Sequence, residues 1–243
     1  IQKVERLLAT KDEQEAREIF TLCSQSQWNY ERAKVELSKN NWRGLVTQVQ
    51  YRPFDVRWTI WDSNVAVHRR ERVNGHMIHD NIAILIGPAG DVIGQDGWNI
   101  CFASKFPTDY NLFRRGGNFL FPLWIYKKDD NSLFSTSDNG RVANFSRKFL
   151  EEFSNLLDGI RLSNEDVFAY IYSVLFSNKY RVRYAEFLKR DYPRIPLTEN
   201  RDTFRKLAKL GHALLNQHLN LESLSSRTKF PTSGSNIVEF IKY

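Results

Sequence analysis

The residues of this chain best suited to chemistry are arginines set among aromatic and turn-forming neighbours. Tyr51-Arg52-Pro53-Phe54-Asp55-Val56-Arg57-Trp58 puts two guanidinium groups around a turn, and Arg69 and Arg70 lead into Arg72. Lys105 follows an apolar run, and Arg114-Arg115-Gly116-Gly117-Asn118 sets two arginines on a Gly-rich stretch. Arginines on loops carried by a rigid sheet can grip phosphates or read guanine edges bidentately, and Asn can read adenine. A second basic set, Arg181, Arg183, Lys189, Arg190 and Arg194, lies in a helix-patterned part and is followed by Arg201, Arg205, Lys206 and Lys209. Each set has a structural alternative. Arg52 and Arg57 can pair with Asp55 or Asp62 in a surface turn, and the 181–194 set has Glu186 and Asp191 beside it. Arg114 and Arg115 have fewer acidic neighbours, which favours a polyanionic partner there.

The whole chain agrees with such a partner. Its 243 residues carry a formal net charge of +7, and Lys and Arg gain by releasing the counterions condensed on nucleic acid. With 42% hydrophobic and 26% charged residues the composition is that of a globular protein. The longest apolar runs, 82–86 and 119–125, are too short to span a bilayer as a helix. Cys23 and Cys101 both have apolar neighbours, which suits buried thiols in a reducing cytoplasm better than a disulfide or zinc site. The first residues lack Met and any signal-peptide pattern, so a piece of something longer is expected.

Several reactive patterns are missing. None of the seven prolines adjoins another, so the (Asp/Asn/Ser)-Pro-Pro-aromatic tetrapeptide of DNA amino-methyltransferases does not occur. No Glu-x-Lys triplet of a metal-dependent nuclease occurs either. Gly87-Pro88-Ala89-Gly90, with Gly94 and Gly97, fits neither the dinucleotide fingerprint nor the P-loop and reads as a hairpin loop. His76 and His79 could offer two ligands from one helix face, but without a nearby Cys or carboxylate pair they do not make a zinc site. The expectation is no catalytic residue, no metal and no cofactor in this chain.

The elements that must carry the arginines are legible from periodicity, and they make an α+β chain. Residues 1–44 read as a helical lead-in, with Ala16, Ile19, Phe20 and Cys23 in one stripe and Ala33, Val35 and Leu37 in a second segment. Residues 45–141 read as a β-rich, mainly antiparallel lobe. Its strands are expected near 46–51, 56–61, 83–87, 99–104 and 119–126, with one short helix within 72–79 and a polar loop over 127–141. Residues 142–222 read as a helical lobe. Ser163 and Asp166 resemble a capping box ahead of 167–176, the pattern continues over 179–189, and Phe204, Leu207, Ala208, Gly211, Leu214, Leu215 and Leu219 form a stripe. Pro193 and Pro196 mark a stiff connector, and 223–243 is a tail, Ser/Thr-rich as far as Gly234. Within 180–188, Tyr180, Tyr184, Phe187 and Leu188 should pack inward while Arg181 and Arg183 point elsewhere.

The order of motifs carries a resemblance. Tyr51-Arg52-Pro53-Phe54-Asp55-x-Arg57-Trp58-x-x-Trp61-Asp62 comes first, then Phe121-Pro122-Leu123-x-x-Tyr126 and Tyr170-Ile171-Tyr172-x-Val174-Leu175-x-Ser177. Tyr180-Arg181-x-Arg183-Tyr184-x-Glu186-Phe187-Leu188-Lys189-x-Asp191-Tyr192-Pro193-Arg194-Ile195-Pro196-Leu197 follows. Over 12–219 this resembles the C-terminal target-recognition region of Type ISP restriction–modification enzymes and related single-chain adenine methyltransferases. Asn178 stands where that family commonly has Pro, and Trp61 where it has Tyr.

The resemblance implies a fragment that chooses a double-stranded DNA sequence for a methyltransferase domain upstream in the same parent chain. That domain would use S-adenosylmethionine, and larger members add a translocating ATPase and a nuclease. A rival reading makes the chain an assembly module docking methyltransferase to motor and nuclease domains without reading sequence. An RNA-binding module is disfavoured by the lack of an aromatic RNP-type strand motif. The expected DNA-contacting residues are Arg52, Arg57, Arg69, Arg70, Arg72, Lys105, Arg114, Arg115, Asn118, Arg181, Arg183 and Lys189.

Overall fold

Short polar side chains start most of the helices by accepting a hydrogen bond from a backbone N–H three residues on. Asp12, Asn29, Ser146, Ser163, Ser177 and Asn200 all do this, at 2.8–3.3 Å, and each so satisfies a donor that the first helical turn leaves unpaired. The computed structural model describes residues 1–22, 28–39, 41–87, 97–113, 117–126, 140–220 and 233–234. Cys23, the 88–96 Gly-rich stretch, Arg114, Arg115 and nearly all of the tail lie outside the described residues.

The lead-in holds α1 (Gln2–Leu8), α2 (Glu13–Phe20) and α3 (Tyr30–Ser38). Leu37 and Trp42 join Ile60 in a small core, with Val4, Leu7, Leu8 and Val46 packed around it, which seats these helices on the strands that follow. Val35, in the second segment expected here, faces outward. It is 60% exposed, and the inward face of α3 is Tyr30, Ala33 and Leu37, spaced three and four apart.

β1 (Val46–Arg52) and β2 (Asp55–Ile60) form a two-stranded antiparallel ribbon turned at Pro53 and Phe54, the latter in left-handed backbone at φ 64°. α4 (Glu71–Asn74) runs on into a 3-10 turn, Gly75–Ile78, where one short helix is expected. β3 (Ala83–Ile86) is the centre of a three-stranded antiparallel sheet between β4 (Cys101–Ser104) and β5 (Phe119–Pro122). The run expected as one strand over 119–126 is two, because buried Leu123 donates its N–H to Ile82 and breaks the register before β6 (Trp124–Tyr126). β6 pairs with β7 (Arg141–Ala143), a strand at the end of what reads from sequence as polar loop.

The helical part comprises α5 (Arg147–Leu156), α6 (Asn164–Phe176), α7 (Asn178–Arg183), α8 (Ala185–Leu188) and α9 (Arg201–Leu219). The continuous helix expected over 179–189 is interrupted at Tyr184, whose φ and ψ of −108° and 18° are not helical. α6 crosses α9 closely at Gly211, where even a Cβ would run into the carbonyl oxygen of Ala169. The central sheet is buried on both faces. Ile84, Ile86, Cys101 and Ala103 join the main core with α6 and α9, while Ala83, Leu85, Phe102 and Leu120 join Met77 and Leu112 in a second. Strands sandwiched in this way read as continuous apolar runs, as 83–86 does.

Candidate nucleic-acid interface

The β1–β2 ribbon has two unlike faces. Val46 and Ile60 anchor one of them on the lead-in, and further along that face Trp58 stands 69% exposed opposite Gln48. The other face carries Val49, Thr59 and Trp61, which form one wall of a polar groove of 620 Å³. The far wall is built by residues 66–70, Asn74 and residues 108–111. Backbone bonds hold the walls together at the β1 edge: Gln50 N–H donates to Pro107 at 2.8 Å, and Asp109 N–H to Gln50 at 2.9 Å.

At the ribbon end Tyr51 is stacked between two guanidinium groups, Arg52 at 3.9 Å and Arg57 at 3.7 Å from its ring centre. Arg57 pairs with Asp55 at 2.8 Å, and this hydrogen bond raises its pKa above the ordinary arginine value. Arg52 pairs instead with Asp109 at 2.9 Å, a partner far away in sequence. Both guanidinium groups are partly open to solvent. Held charges of this kind can meet phosphates without further ordering of the side chain.

At the other end of the groove Arg69 lies 5.2 Å from the Trp61 ring centre, donates to the Trp61 carbonyl at 2.9 Å and approaches Glu71 at 3.4 Å. Arg70 is committed to the scaffold. Its guanidinium donates to the Asn118 carbonyl at 2.9 Å and to Thr108 at 3.2 Å, and burial lowers its pKa. Asn118 is only 4% exposed and spends its amide on the carbonyls of Asp109 and Tyr110, at 2.7 and 2.8 Å. The expectation that Asn118 reads adenine is therefore corrected, since neither its donors nor its acceptor faces outward unpaired. The two terminal nitrogens of Arg70 are spent as a strut, which leaves only its Nε–H for any other partner. The bonds of Arg70 and Asn118 tie Thr108, Asp109, Tyr110 and Asn118 together. Arg114 and Arg115 themselves lie outside the described residues.

The remaining expected contacts are not brought to this groove. Arg72 is exposed on α4, next to it in sequence. Lys105 lies beyond β4, 3.5 Å from Asn220. Lys189 is exposed and pairs with Glu186 at 2.7 Å, and Arg183 is exposed beside Tyr184. Arg181 points inward, not away from the core. Its Nε donates to the Leu175 carbonyl at 2.6 Å, its guanidinium lies 4.7 Å from the Phe176 ring centre and 5.5 Å from that of Trp98, and burial lowers its pKa. Tyr180 and Leu188 are buried as expected, while Tyr184 is exposed.

Sequence reasoning missed Asn74, Thr108, Asp109, Tyr110 and Trp61 as groove residues. Asn74 is buried, donates to the Arg69 and Thr108 carbonyls and accepts the Thr108 N–H. Its neighbours Glu71, Arg72, Gly75 and His76 are polar or small, and no local pattern marks it. His76 accepts the Tyr126 N–H at 3.2 Å and His79 stacks on the Tyr126 ring. Among the described residues no group of three or more His, Cys, Asp or Glu could hold a metal ion. No helix among them is long and apolar enough to cross a membrane. Burial pushes the Cys101 thiol up to about 12.

A model of the Type ISP C-terminal specificity domain matches residues 1–243. The chain belongs to that family. A comparison of the domain with curated proteins gives no match. Among solved structures, the specificity domain is similar to one titled as a DrdV–DNA complex, with TM-score 0.64 and 19% identity over 97% of this chain. It is also similar to the ATP-dependent Type ISP restriction–modification enzyme LlaBIII bound to DNA, with TM-score 0.61 and 20% identity over 92%. A nuclease-deletion mutant of the Type ISP enzyme LlaGI, in complex with a DNA substrate mimic, gives TM-score 0.54 and 22% identity over 92%. The domain spans 22%, 14% and 19% of those three chains.

Proposed function

We propose that this specificity domain selects a double-stranded DNA sequence for an adenine methyltransferase of a restriction–modification system, and that it performs no chemistry itself. The observation that carries the reading is the groove beside the β1–β2 ribbon, where Arg52 and Arg57 are stacked on Tyr51 and Arg69 lies over Trp61. The scaffold bonds of Arg70 and Asn118 tie Thr108, Asp109, Tyr110 and Asn118 together beside it. Arg52, Arg57 and Arg72 would meet phosphates and fix the register, and Arg115 would read a base edge. The methyltransferase domain and its S-adenosylmethionine would belong to the rest of the parent chain, in the cytoplasm. Binding here would hold the site while that domain extrudes the adenine, which costs a few kcal/mol.

Competition binding against duplexes with single-base changes, repeated at several salt concentrations, tests the reading. Arg115→Ala should relax preference at one base pair and cost about 1–3 kcal/mol on the preferred site. Arg72→Ala should weaken all duplexes alike and reduce the salt slope by about one unit. No salt-sensitive binding by the wild-type chain would refute the proposal and leave the assembly role. Transfer of labelled methyl groups by the isolated chain would refute the non-catalytic part.

A further inference from the structure

Strain and unsatisfied donors meet in the polar groove. His68 and Arg70 both stand at positive φ, 58° and 49°, a conformation that residues with a Cβ hold only when their surroundings impose it. Arg69 lies between them and covers the Trp61 indole. The Trp61 Nε1–H and the Arg70 Nε–H are buried without a hydrogen-bond partner, and both residues line the groove. Buried N–H groups in folded proteins almost always have a partner, so two orphans on one groove require an explanation. Both are donors, so what completes them is an acceptor. The neighbouring guanidinium groups make an anionic acceptor the favoured one, because the Asp109 carboxylate on the rim is already engaged by Arg52. Arg70 cannot swing away, since Asn118 and Thr108 hold its other nitrogens. Arg69 can, because its guanidinium is held by the Trp61 carbonyl and, at 3.4 Å, by Glu71, and it sits between the two strained positions.

We propose that a phosphate of the DNA backbone seats in this groove, displaces Arg69 from the indole and accepts hydrogen bonds from Trp61 Nε1–H and Arg70 Nε–H. The proposal rests on the DNA-recognition reading above and adds to it a neutral donor that engages only when DNA is bound. The strained 66–70 segment is then a latch, closed over Trp61 in the free domain and opened by the phosphate.

Trp61→Phe gives the test, because it removes the N–H and keeps an aromatic ring. The substitution also trims ring packing, so binding is measured well below the melting temperature of the variant. Its affinity should fall about tenfold, equally on every duplex of a single-base panel, as loss of a hydrogen bond to a charged group does. A methylphosphonate scan along the duplex should find one backbone position whose cost is clearly smaller for Trp61→Phe, which keeps only the Arg70 donor there, than for wild type. Unchanged affinity in Trp61→Phe overturns the seat. A loss confined to one base pair overturns it in favour of a base contact. A wild-type chain that binds no duplex overturns the recognition reading and the seat together.

Discussion

Arg181 separates a DNA-contacting role from a structural one. Its Nε–H donates at 2.6 Å to the carbonyl of Leu175, in the last turn of α6, where the helix dipole also favours a cation. A hydrogen bond to a charged group contributes about 1.5–3 kcal/mol, and the contacts with Phe176 and Trp98 add about 0.5–2 kcal/mol. Against this stand the burial of the cation and the unpartnered Nη2, which together offset about 1–3 kcal/mol. Arg181→Ala should therefore lose about 2 kcal/mol, a fall in Tm of roughly 4–8 °C for a chain of this size. Arg181→Met, which keeps the aliphatic volume, should lose less. Thermal unfolding followed by far-ultraviolet circular dichroism gives the stability, and duplex binding well below Tm gives the affinity. The structure predicts a lower Tm with affinity within about twofold of wild type and an unchanged salt slope. An unchanged Tm with uniformly weaker binding and a salt slope smaller by one would refute this placement and put the guanidinium on DNA.

Two further substitutions probe the scaffold. Gly211→Ala should destabilise by about 1–3 kcal/mol in the same unfolding assay, even though Ala is the better helix former by about 1 kcal/mol, because backbone at Ala169 cannot yield as a side chain would; an equal or higher Tm would mean that α6 and α9 do not approach so closely. Asn118→Ala should cost about 2–3 kcal/mol, since it strips partners from the Asp109 and Tyr110 carbonyls. Binding of the folded Asn118→Ala variant to a single-base panel should show wild-type preferences at every A·T pair, and a loss at one of them would restore Asn118 as a base reader.

What the sequence by itself determined is local or compositional. The helix start at Ser163, the buried character of 83–86 and the antiparallel strands follow from patterns within a few residues of one another. The net charge and the arginine-aromatic clusters point to a polyanion for the same reason, and the Asp55–Arg57 pair is only two residues apart. The family was legible because whole motif blocks persist in order. Only the tertiary structure decided which basic residues are free to act. Arg52 finds Asp109, and Arg70 finds Asn118, across 57 and 48 residues, and no local period encodes such pairings. Arg181 looks like a solvated helix residue in sequence, and only the fold brings Phe176 and Trp98 up to its guanidinium. The side chains of Arg and Asn serve equally well as struts and as DNA contacts, and burial, which depends on the whole fold, separates the two uses.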